Sequence, residues 1–159
     1  MNAPTTAGTG TMVVARPVLP ASAPGLFVRH RDRGFVAHIT ASPDSLSTVR
    51  GLTASVLIAY GAGHESAAAA QLVVSELVGN AVRACGAHVP VVVEVYITST
   101  GVAVNVHDPV PELLPHRGEA PMDSREAESG RGLALLDLIA PDWRIEFSLT
   151  GKQIRCHLS

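Results

Sequence analysis

Apolar residues along the chain follow two different periods. In FVAHITA, Phe35, Ala37 and Ile39 share one parity, the spacing of a half-buried strand. The next stretch, SPDSLSTVRGLTASVLIAYG, changes to helical spacing. Leu46, Val49, Leu52 (or Thr53), Val56 and Leu57 fall on one side, Ser42 takes the N-cap place, Pro43 the first helical position, and Gly61 stops the run. From His64 to about Ala87 a longer helix is predicted, with Ala70, Val73, Val74, Leu77, Val78, Ala81, Ala84 and Cys85 as one apolar stripe and Gly86 closing it. VPVVVEVYIT and GVAVNVHD alternate on either side of Ser99, Thr100 and Gly101, which predicts a hairpin; DWRIEFSLT and KQIRCHLS around Gly151 predict a second. A short helix, GLALLDLIA, lies before the second hairpin.

Strands in hairpins rather than in regular βαβ alternation make the class α+β: a two-layer sandwich, with a mixed, mostly antiparallel sheet carrying its helices on one face. Residues 1–33 are rich in Ala, Pro, Thr and Gly without a sustained period and read as a disordered or loosely attached tail, leaving 34–159 as the domain. The RHRDR run, Arg29 to Arg33, reads as a solvated boundary between the two rather than as a small basic docking patch.

Composition narrows the function classes. With 159 residues and 47% hydrophobic content the chain can bury one real core, and its net charge of −2 lacks the basic excess that phosphate-backbone binding requires. Neither nucleic acid nor a membrane surface is the expected partner. Cys85 and Cys156, far apart in apolar contexts, form neither a disulfide framework nor a zinc spacing and suit a reducing compartment. No basic stretch precedes a long apolar block at the start, so a cytoplasmic location is expected.

Three segments carry candidate chemistry. At 100° per residue, Glu76, Asn80 and Arg83 share one flank of the second helix, bordering the core. A carboxylate and a carboxamide there could hold one ligand or hydrated ion, or Glu76 and Arg83 could form a plain surface pair. In GVAVNVHD, Asp108 shares the parity of Val102, Val104 and Val106, so a core-facing row ends in a carboxylate. Such an acid needs donors, either from a ligand or from turn amides of the Pro-containing loop that follows. SGRGLALLDLIA places Gly130 and Gly132 around Arg131 at a helix start, which suits an approaching anion or merely turn geometry. The aperiodic segment 109–129 between Asp108 and these glycines has the length of a functional lid.

The ordered set, E-x-x-x-N on a helix, a strand ending in Asp, a variable loop, then G-x-G-L opening a helix, resembles the ATPase fold shared by gyrase-type topoisomerases, Hsp90-type chaperones, sensor histidine kinases and mismatch-repair proteins (the GHKL superfamily). Within it the chain is most similar to small bacterial anti-sigma-factor serine/threonine kinases, over roughly residues 35–158. The resemblance implies the histidine-kinase-like ATPase fold, with ATP and Mg²⁺ as cofactors. It implies Glu76 as the general base, Asn80 as the Mg²⁺ ligand and Asp108 as acceptor of the adenine amino group. Gly130, Arg131, Gly132 and Leu133 would then belong to the nucleotide-binding loop, with the role of Arg131 left open. A sigma factor and an anti-sigma-factor antagonist protein are the implied partners, and a homodimer stays open. An ATP-binding switch without useful catalysis is the alternative. Many superfamily members carry glycine two residues after the aspartate, where this chain has Val110 in DPVPELLP.

Overall fold

Strand parity, helix caps and short hairpin turns account for the architecture. The computed structural model describes residues 16–109 and 134–159. Its elements run β1 (Leu26–Arg31), β2 (Gly34–Thr40), α1 (Pro43–Ala59), α2 (His64–Cys85), β3 (Pro90–Ile97), β4 (Val102–Asp108), β5 (Arg144–Ser148) and β6 (Gly151–Leu158). Residues 134–139, ahead of β5, are helical. The named strands form one six-stranded sheet in the order β1-β2-β3-β4-β6-β5, with every neighbouring pair antiparallel. The α+β class with helices on one side of the sheet is therefore observed.

Register stacks the predicted apolar rows side by side. Phe35 lies opposite Val95, Ala37 opposite Val93, Val93 opposite Val106, and Val106 opposite Ile154. All of these are buried, as are Val49, Val56 and Leu57 of α1 and Val73, Val74, Leu77, Val78 and Ala81 of α2, which pack in the same core. Each fully buried Val, Leu or Phe contributes about 1.5–3 kcal/mol relative to exposure, so this shared layer is the main source of stability. α1 begins as its sequence predicts. The Ser42 hydroxyl accepts from the Ser45 N–H at 3.0 Å while the Ser45 hydroxyl accepts from the Ser42 N–H at 2.9 Å, with Pro43 next in line. α2 stops at Gly86, whose φ of 92° turns the chain out of the helix.

The helix-free face of the sheet carries a polar cluster. The Arg31 guanidinium lies 3.4 Å from the centre of the Tyr96 ring and pairs with Glu94 at 2.8 Å. Glu94 also accepts from the Asn105 amide at 2.8 Å, which satisfies a side chain that is otherwise buried.

One boundary differs from the sequence reading. Within the segment assigned to the tail, Leu26–Arg31 forms β1, paired with β2 from Leu26↔Ile39 to Arg31↔Gly34. Leu26 and Val28 supply only two apolar positions on the core parity, and His30, Arg29 and Arg31 around them disguise the period. RHRDR is thus the end of β1 and a hairpin turn, with Arg33 at a φ of 53°. Residues 1–15 lie outside the described residues. No helix among the described residues is long and apolar enough to cross a membrane.

Candidate functional site

β4 carries Val102, Val104 and Val106 into the core and ends on Asp108 in the same row, as its parity predicts; Asp108 is 4% exposed. Lys152, directly across the β4–β6 ladder and itself 3% exposed, places its ammonium 3.2 Å from the Asp108 carboxylate. Lys152 was not among the residues singled out from sequence. The signal was present in GKQIRCHL, where Lys152 shares parity with Ile154, Cys156 and Leu158, all of them buried.

Gly151 explains how tightly this corner is built. A Cβ at that position would lie 1.9 Å from the Asp108 carbonyl oxygen and 2.8 Å from the Pro109 Cα, and its φ of +144° disfavours a side chain in any case. The start of β6 therefore presses on the backbone of Asp108, which fixes the carboxylate relative to Lys152. The C-terminal end of α2 lies near the same corner. Burial pushes the Cys85 thiol up from its usual value, the Asp108 charge pushes it further, and the Lys152 charge opposes both.

Going back along α2 from Cys85, Asn80 and Glu76 follow at a rise of about 1.5 Å per residue, so the stretch from Cys85 to Glu76 spans roughly 13 Å. Both are half-buried, at the border of the apolar stripe as predicted. The Asn80 carbonyl oxygen accepts a hydrogen bond from the exposed Arg83 guanidinium, one turn further on. Its amide nitrogen is buried and has no hydrogen-bond partner among the described residues. Arg83 thus turns to Asn80 rather than serving only as a surface partner of Glu76. Gly79 gives it room, since a Cβ there would sit 3.2 Å from the Arg83 Nη1.

The structure therefore joins Asp108, Lys152 and the Cys85 end of α2 at one corner, with Asn80 and Glu76 farther along the same helix. Gly130, Arg131, Gly132 and Leu133 lie outside the described residues, as does the lid segment except for Pro109. Chemically, the corner offers a carboxylate acceptor and an ammonium donor side by side in a dry setting, while the helix flank offers an amide oxygen already facing a cation.

Two comparisons bear on this arrangement. No curated protein matches the chain. Residues 39–157, most of the chain and a span that includes Glu76, Asn80, Asp108 and Lys152, match the family model of the histidine kinase-like ATPase domain. With the family's α+β architecture present as well, the chain belongs to the histidine kinase-like ATPase domains, an ATP-binding family.

Proposed function

We propose that the chain is an ATP-binding regulatory protein kinase of the anti-sigma-factor type, which holds a sigma factor and phosphorylates a serine or threonine of a small antagonist protein. The observation that carries this reading is the core-facing carboxylate of Asp108 at one end of an α2 flank that presents Asn80 and then Glu76. Asp108 accepts from the exocyclic amine of adenine. Glu76 takes the proton of the attacking hydroxyl as its oxygen bonds to the γ-phosphorus, the bond from that phosphorus to the bridging oxygen breaks, and ADP leaves. Gly130 to Leu133 belong beside the phosphates.

The residues present fit a divalent cation. Mg²⁺ favours oxygen donors and takes only one or two from protein, and the Asn80 carbonyl oxygen is already turned toward a positive group. When bound, Mg²⁺ would neutralise phosphate charge. Positioning and charge compensation supply most of the catalysis in phosphoryl transfer, so one well-placed carboxylate and one amide are a sufficient protein share.

The experiment is transfer from labelled ATP to the antagonist protein by the wild type and by Glu76→Ala. Transfer by the wild type, lost in the variant while ATP binding persists, supports the kinase. A second reading, an ATP-dependent binding switch, is favoured by the engagement of the Asn80 oxygen by Arg83. It requires that the wild type bind ATP and transfer nothing.

A further inference from the structure

Along the core-facing row of β6, Lys152 is followed by Ile154, Cys156 and Leu158, and its neighbours across the ladder are Asp108 and then Val106 opposite Ile154. A lysine in such a row is expensive. Its ammonium is desolvated and its four-carbon stem is fixed, and replacing a buried ion pair by apolar residues is often neutral or stabilising. Core packing alone therefore gives no reason for Lys152. A carboxylate and an ammonium 3.2 Å apart, on adjacent strands, do present one acceptor and one donor to whatever approaches that corner.

We infer that Lys152 is a base-binding residue: its ammonium donates to the ring nitrogen N1 of adenine while Asp108 accepts from the neighbouring exocyclic amine. This rests on the nucleotide reading of the site. Adenine carries a donor, the amine, next to an acceptor, N1, on one edge, and an edge of that kind is read by an acceptor and a donor held side by side. Guanine and hypoxanthine invert the pattern, with a carbonyl where adenine has its amine and an N–H where adenine has its acceptor. In the adenine pose they would set a carbonyl oxygen against the Asp108 carboxylate and an N–H against the ammonium.

The corner is held rigidly enough to discriminate. Gly151 packs against the Asp108 backbone, and the ladder fixes Lys152 opposite it. Cys85, at the end of α2, lies close enough to respond to both charges, so the pair sits between sheet and helix, in the layer where the nucleotide is proposed to bind. A hydrogen bond to a charged donor in a desolvated site is worth more than one in water, so removing its acceptor should be costly.

The test compares Mg-ATP with Mg-1-deaza-ATP, in which a C–H replaces N1, by titration calorimetry. The wild type is expected to bind the analogue roughly tenfold to a hundredfold more weakly. In Lys152→Met the two ligands should bind alike, because the donor that told them apart is gone. Should that variant not fold, Asp108→Asn with Lys152→Met removes both charges together, and the same equality is expected. Equal binding of the two ligands by the wild type overturns the inference and leaves the nucleotide site standing, as does a penalty that survives the loss of Lys152. No binding of Mg-ATP by the wild type overturns the nucleotide reading itself.

Discussion

The Arg83 guanidinium donates to the carbonyl oxygen of Asn80 across the surface of α2, in the space that Gly79 leaves open. Glycine inside a helix costs about 1 kcal/mol relative to alanine, so this accommodation is made at the expense of helix stability. In the proposed site the same oxygen is the one that Mg²⁺ needs. Arg83 and the metal therefore compete for it.

Arg83→Met should lower the Mg²⁺ concentration for half-maximal nucleotide binding by about twofold to tenfold, the worth of one exposed hydrogen bond. Gly79→Ala should act in the same direction by crowding Arg83, while raising the stability of α2 by up to about 1 kcal/mol. Magnesium titrations at fixed ATP and thermal melts check both. An unchanged magnesium midpoint in both variants would show that the contact has no bearing on the metal.

Removing one partner of the Asp108–Lys152 pair takes a counter-charge away from a buried group. Lys152→Met should cost about 3–5 kcal/mol of unfolding free energy, and Asp108→Asn in the same background should recover much of it. Denaturant unfolding of the single and double variants measures this directly; an equal loss in both would mean that the charges do not compensate each other.

Gly151→Ala is expected to be as damaging as a core substitution. The new methyl meets the Asp108 carbonyl oxygen at 1.9 Å in a backbone conformation unsuited to a side chain. Strain and overpacking are each worth about 1–3 kcal/mol, and relief requires Asp108 to move. Stability and nucleotide affinity should therefore fall together. A variant that melts lower yet binds ATP as before would separate the turn from the site.

Cys156 gives a pH prediction. Burial pushes its thiol from 9.0 up to about 12, so the folded chain holds this proton more tightly than the unfolded one. Its contribution is fully present below about pH 9 and is lost as pH rises toward about 12, at no more than about 1.4 kcal/mol per pH unit. Cys156→Ala should lose less stability than the wild type across that alkaline window in parallel urea titrations. Identical slopes would contradict the assignment.

Much of this architecture is legible in the sequence because most elements carry a local signal. Ser42 and Pro43 marked the start of α1, Gly86 the end of α2, and the alternation of Val102, Val104 and Val106 carried Asp108 inward. β1 is hard to read because its core parity carries only two apolar residues, Leu26 and Val28, before His30. Lys152 is hard to read for a different reason. Its parity pointed to the core, but a lysine there makes sense only when Asp108, distant in sequence, is known to lie opposite. The Arg83–Asn80 contact likewise depends on side-chain placement, which spacing alone does not decide between Glu76 and Asn80 as the arginine's partner.

In the proposed site Asp108 and Asn80 hold one nucleotide between them. Calorimetric titration of Mg-ATP into the wild type, Asp108→Ala and Asn80→Ala tests it most directly. One ATP per chain is expected for the wild type, with at least a tenfold loss of affinity in each folded variant. Wild-type affinity in both variants would contradict it.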